Sequence, residues 1–141
     1  MRLTQEDDYG LRTVLYLCKN RGKRIEAKEI AGSEAIPERF LLKLLRKLTV
    51  AGITKSYMGS GGGYAFEKDP SQISLLDVIT AVEGEIYINK CLEDPANCNA
   101  GRADYCIIHK QLDIIQSKLL ANLASVSFQN LLDQQNEKKF N

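Results

Sequence analysis

The stretch Ile36-Pro37-Glu38-Arg39-Phe40-Leu41-Leu42-Lys43-Leu44-Leu45-Arg46-Lys47-Leu48 decides the fold. Phe40, Leu41, Leu44, Leu45 and Leu48 recur at the spacing of one apolar helical seam, with Arg39, Lys43, Arg46 and Lys47 on other faces. Proline at position 37 suits a helix's first turn, where its missing N–H would be unpaired anyway. Gly52 lies just past the end. Upstream, a short helix is predicted from about Glu26 to Ala31, stopped by Gly32. Two helices joined by a short turn, the second amphipathic and basic, outline a helix-turn-helix.

Charge points the same way. The chain carries +1 overall, yet Arg39 through Phe66 holds five basic residues and no Asp or Glu, leaving −4 for the remainder. A local basic face on a near-neutral body suggests a placed anionic partner. A solvated helix face would give the same pattern, so charge alone does not decide.

The residues after this helix extend the motif. Ile53 to Tyr57 alternates as a strand does, Gly59-Ser60-Gly61-Gly62-Gly63 turns, and Tyr64-Ala65-Phe66 returns antiparallel. A hairpin directly after a recognition helix stands where a winged helix carries its wing. The glycines make no phosphate loop, because the required lysine and hydroxyl are missing, and Tyr64 spoils the dinucleotide fingerprint.

Working outward, Thr4 is placed to cap a first helix, with Asp7 three residues on and a stripe of Leu11, Val14, Leu15 and Cys18 that ends near Asn20-Arg21-Gly22. On that stripe Cys18 reads as a small buried hydrophobe. Asp69-Pro70 breaks the chain, and Ser74 caps a helix from about Leu75 to Val82 that Gly84 stops. Residues 85–104 lack periodicity and read as a loop. A long helix is predicted from about Tyr105 to Leu123 with Ile108, Leu112, Ile115, Leu119 and Leu123 in one stripe, the kind of face that packs against a second copy. Ser127 caps a last short helix, and Gln134 to Asn141 reads as a fraying tail. The expected class is therefore mainly α with a small β-hairpin wing. Residues 1–84 form a winged helix-turn-helix DNA-binding domain, 85–104 a cysteine-containing loop, 105–133 a dimerisation helix with a short terminal helix, and 134–141 a flexible tail.

At 141 residues, 44% hydrophobic and 26% charged, the chain is an ordinary globular domain. It has no apolar run long enough for a membrane helix and no secretory h-region at its start, so it reads as cytoplasmic. No serine–histidine–acid arrangement is recognisable, and an enzyme is not expected.

The cysteines carry the remaining chemistry. Cys91, Cys98, Cys106 and the only histidine, His109, crowd into 19 residues. In a reducing compartment such a cluster favours metal or redox chemistry over a structural disulfide. Thiolates are soft ligands that suit iron–sulfur clusters, zinc or copper(I). His109 follows Cys106 by three positions, so both can face one side at a helix start. Zinc held by three cysteines and a histidine is the competing reading, although the tight cysteine pairs usual for zinc are missing. A thiol–disulfide switch comes third.

Several pieces in order resemble the IscR/NsrR-type winged-helix regulators, the Rrf-two family. They are Met1-Arg2-Leu3-Thr4 with Asp8-Tyr9-Gly10-Leu11-Arg12, Gly61-Gly62-Gly63-Tyr64 with Lys68-Asp69, Asp77-Val78-Ile79 with Ala81-Val82-Glu83-Gly84, and the three-cysteine segment before a long helix. The resemblance implies a homodimeric transcription regulator that binds a double-stranded operator, and a long-helix dimer with its two recognition helices ~34 Å apart predicts that the site is near-palindromic. In cysteine-bearing members it implies an iron–sulfur cluster, here the two-iron form ahead of the four-iron form. Cys91, Cys98, Cys106 and His109 would be its ligands, with Asp8 the alternative fourth. Two departures stand out. Six and seven residues separate the successive cysteines, a wider spacing than in cluster-holding relatives, and Met58 stands where many relatives carry a wing arginine. On DNA, Glu38, Arg39, Phe40 and Lys43 are expected at base edges, Arg46, Lys47 and Lys55 at phosphates, and Ser60, Gly61 and Gly62 near the minor groove. The rival class is a cluster carrier that binds no DNA, which would need neither the acid-free basic segment nor the wing.

Overall fold

Thr4 opens the first helix by a reciprocal cap. In the computed structural model, which describes residues 2–139, the Asp7 N–H donates to Thr4 Oγ1 at 3.1 Å and the Thr4 N–H to the Asp7 carboxylate at 3.0 Å. Helix α1 then runs Gln5–Lys19 and buries Val14, Leu17 and Cys18. Helix α2 (Ala27–Glu34) passes through Gly32 instead of stopping there. The turn is made by Ala35, which takes the left-handed conformation at φ 53° and donates to the Ala31 carbonyl. Arg12 of α1 clasps this turn, its Nη1 donating to the Glu34 carbonyl at 2.7 Å.

Helix α3 (Glu38–Val50) buries Leu41, Leu44, Leu45 and Leu48 completely. Phe40 leaves the predicted seam. One residue back from Leu41 it is rotated by about a quarter turn, and half of it (50%) is exposed. The hairpin follows as β1 (Lys55–Tyr57) and β2 (Gly63–Ala65), antiparallel with Tyr57 opposite Gly63. On its other side β2 is bridged by Ile25, whose N–H and C=O both bond Tyr64 at 2.8 Å. Gly63, at φ 135°, allows this: a Cβ there would lie 2.6 Å from the Ile25 carbonyl oxygen.

Ser74 and Asp77 repeat the reciprocal cap for α4 (Leu75–Glu83). Helices α1 and α4 approach closely at Gly10, where a Cβ would stand 2.8 Å from Val82 Cγ2. The predicted loop 85–104 is partly ordered into a one-turn helix α5 (Lys90–Glu93) and two 3-10 turns, Pro95–Asn97 and Ala103–Tyr105. Periodicity could not show single turns of this kind. Local caps hold them, Asn89 on the Lys90 N–H at 2.8 Å and Asp94 on the Ala96 N–H at 2.9 Å.

The long helix α6 (Ile107–Ser125) starts two residues later than expected, because Tyr105 belongs to the preceding turn. Helix α7 (Phe128–Lys139) is longer than expected, and residues 134–139 of the predicted fraying tail are helical. Phe140 and Asn141 lie outside the described residues. Phe128 explains the order: it is fully buried in the core, its N–H donates to the Ile73 carbonyl at 2.9 Å, and α7 then lies along α1.

Two glycine substitutions separate packing from backbone freedom. Gly10→Leu must displace Val82 and is expected to cost about 1–3 kcal/mol. Gly32 has open space around it inside a helix, so Gly32→Ala is expected to stabilise by roughly 0.5–1 kcal/mol. Thermal denaturation of both variants reads the two signs.

Candidate metal centre and nucleic-acid interface

Cys91 sits in α5, Cys98 follows the first 3-10 turn, Cys106 is the residue capping α6, and His109 lies in the first turn of α6. The fold brings all four around one cavity of about 180 Å³, which Lys90, Arg102 and Ile108 also line. His109 Nδ1 lies 3.2 Å from Cys91 Sγ. Among the described residues no three His, Cys, Asp or Glu side chains converge on a point, as a single metal ion would require. Asp8 is not among the cavity's lining. It lies on α1 and pairs with Arg12 at 3.1 Å.

The electrostatics favour a negatively charged centre. Backbone N–H groups of Arg102, then of Ala100 and Gly101, together with the Arg102 charge, hold the Cys98 thiol below its ordinary range. Lys90 and Arg102 supply two cations at the rim, and the α6 N-terminus is the positive end of a 19-residue helix. Cys18 is the opposite case. It is buried on α1 away from this cavity, and desolvation pushes its thiol up to about 12.

Sequence reasoning missed the residue that fastens the cysteine segment. Gln116 of α6 is buried, and its Oε1 accepts the Ile88 N–H at 2.8 Å, three residues before Cys91. A glutamine in a helix has no local signature of such a contact.

The second candidate surface is the outer face of α3. Glu38, Arg39, Phe40, Lys43 and Arg46 are exposed, and Arg39, Lys43 and Arg46 make no ion pair among the described residues. Lys47, expected at a phosphate, is exposed and also engaged within the protein. Its Nζ donates to the Val82 carbonyl at 3.0 Å and lies 3.4 Å from Glu6, so it caps the end of α4 and braces α3 against α1. Lys55 pairs loosely with Glu67 at 3.8 Å. Ser60 and Gly61 are exposed at the hairpin tip, and Gly62 is half-buried behind them.

A group of exposed apolar side chains lies on α6, in addition to Leu3, Leu42, Val50, Met58 and Tyr105 elsewhere. Ile107, Ile108, Ile114 and Ile115 are solvent-facing, Ile108 at 69% and Ile115 at 53%. No helix among the described residues is long and apolar enough to cross a membrane.

Comparison with known proteins agrees with this architecture. A family profile described as Rrf2, iron-dependent transcriptional regulator, matches residues 3–134. The HTH-type transcriptional regulator NsrR of Bacillus subtilis is 30% identical over 137 residues, covering 94% of this chain and 89% of that protein. The structure of CymR (YrzC), the global cysteine regulator of B. subtilis, matches with a TM-score of 0.71 at 27% identity, over 95% of this chain and 98% of that one. The structure of T. potens IscR matches with a TM-score of 0.79 over 98% of this chain and 90% of that one; at 21% identity this bears on the fold alone.

The thiol environments predict an order of reaction. In metal-free reduced protein near neutral pH, Cys98 should be alkylated first and Cys18 last, because the thiolate is the nucleophile. As pH falls, Cys98 should keep its reactivity to lower pH than a free cysteine does. Peptide mapping after brief iodoacetamide treatment checks both statements.

Proposed function

Because the chain belongs to the Rrf2 family of transcriptional regulators, we propose that it is a homodimeric DNA-binding regulator controlled by an iron–sulfur cluster on Cys91, Cys98, Cys106 and His109. The observation that carries the reading is the gathering of all three cysteines and the only histidine around one cavity, separate from Cys18. The donors are soft, and the surrounding cations suit an anionic thiolate centre. The family's description as iron-dependent supports iron over zinc. The two-iron form is preferred. Asp8, engaged with Arg12, is the alternative fourth ligand.

Such a cluster supplies a centre whose integrity depends on iron, oxidants and nitric oxide. The chain's own residues do the rest. Gln116 holds the segment entering α5, and Gly84 links that segment to α4. Lys47 fastens the end of α4 to α3. Ordering of residues 85–106 around the cavity therefore biases where the reading helix sits, an order–disorder switch.

On DNA, Glu38, Arg39, Phe40 and Lys43 present to base edges in the major groove, Arg46 and Lys55 to phosphates, and Ser60 to Gly62 to the minor groove. Lys47, placed with them at phosphates, also bonds the Val82 carbonyl. The isoleucine face of α6 supports pairing with a second copy, since large exposed apolar patches mark interaction surfaces. Pairing along α6 sets two reading helices about one helical turn apart, ~34 Å, and calls for a near-palindromic site. The cytosol, which keeps thiolates reduced, is the compartment this chemistry needs.

Selection of duplexes from a random pool by the anaerobically loaded protein is expected to enrich a near-palindrome. Chelating the iron should then change affinity for that duplex by on the order of 5–150-fold. Equal affinities would remove the switch, and no enrichment would remove sequence-specific binding.

A further inference from the structure

The segment Lys19-Asn20-Arg21-Gly22-Lys23-Arg24-Ile25-Glu26-Ala27-Lys28 joins α1 to α2 and holds five basic residues against one acidic. Together with Arg39 to Phe66 it contains ten of the chain's 19 basic residues and one of its 18 acidic ones. Two separate stretches thus concentrate the positive charge, and the fold brings them side by side. Ile25 bridges Tyr64 of β2, which sets the residue before it, Arg24, against the hairpin. There the Arg24 guanidinium lies 3.7 Å from the centroid of the Tyr57 ring.

The environment of that guanidinium distinguishes it from the other cation on the ring. Lys55 is 5.3 Å from the same centroid but is paired with Glu67, which also accepts the Tyr57 hydroxyl. Arg24 is exposed and has no carboxylate partner among the described residues. Stacking occupies the face of the guanidinium and leaves its edge, with its fork of N–H donors, free. A planar fork held flat by an aromatic ring is already ordered for a bidentate phosphate contact. The hairpin tip, Met58 to Gly62, carries no cation of its own.

We propose that Arg24, positioned on Tyr57, binds the phosphate backbone of duplex DNA beside the wing, extending the interface beyond the helix-turn-helix. This assignment rests on the DNA-binding reading above. Arg21 and Lys23 belong to the same basic stretch of sequence, and Arg24 is the member with fixed geometry.

The test is a salt titration of binding to a mixed-sequence duplex of about 30 base pairs, from roughly 50 to 200 mM salt, read by fluorescence anisotropy. Arg24→Gln and Arg24→Ala are each expected to lower the slope of log affinity against log salt by about 0.9, the value of one phosphate contact. Arg24→Lys should keep the slope. Tyr57→Leu should keep it too, with weaker binding, because the charge stays but its placement is lost. Neutral variants that fold as the wild type does and share its slope would overturn the assignment and leave the DNA-binding reading standing. A wild-type protein with a flat plot would overturn both.

Discussion

Leu41, Leu44, Leu45 and Leu48 cannot enter the core without turning Arg39, Lys43 and Arg46 to solvent. Each buried leucine contributes about 1.5–3 kcal/mol relative to exposure, whereas an exposed ion pair contributes at most about 1 kcal/mol. The leucines therefore set the rotation of α3, and the charges follow. All four are completely buried, in a core they share with Val14, Leu17, Ile30, Val78 and Val82. The basic face of α3 is a consequence of packing, fixed before any partner arrives. Lys47 shows the same rule at the edge of the helix, where it meets the end of α4 and is used inside the protein.

The cysteine segment obeys a different balance. Between Gly84 and α6 only Cys91 and Ala103 are buried, so little apolar area holds this part of the chain. Its order comes from side-chain caps at Asn89 and Asp94 and from the Gln116 hydrogen bond to Ile88. Segments with few buried apolar contacts open at low free energy. A group bound by four side chains from α5, the turns and α6 would therefore change the order of this region more than that of the core. The segment joins α4 through Gly84, and α4 carries Val82, which meets both Gly10 and Lys47. A weakly held segment is thus attached to a helix that contacts α3.

Much of this architecture is written in short-range pattern. The caps at Thr4 and Ser74, the leucine seam of α3, the glycine turn of the hairpin and the cysteine–histidine grouping are each contained within about twenty residues, and each is present in the fold. What the sequence does not announce depends on partners far along the chain. Phe128 enters a core formed mainly by residues before position 83, which is why α7 persists where polar composition suggests fraying. Lys47 finds a carbonyl 35 residues away, and Gln116 an N–H 28 residues away. Arg24 reaches Tyr57 only because Ile25 bridges Tyr64. Phe40 departs from the seam for a simpler reason: five apolar residues fit the helical period, but the buried arc has room for four.

The proposed regulation depends on sulfur-ligated iron in the cavity of Cys91, Cys98, Cys106 and His109. It is tested most directly by purifying the protein without oxygen, recording its visible absorption, and assaying iron, acid-labile sulfide and zinc. A two-iron cluster gives a coloured protein with iron and sulfide in roughly equal amounts and little zinc, and loss of both in Cys98→Ala. Colourless protein containing zinc without sulfide, or neither metal nor sulfide, would contradict it.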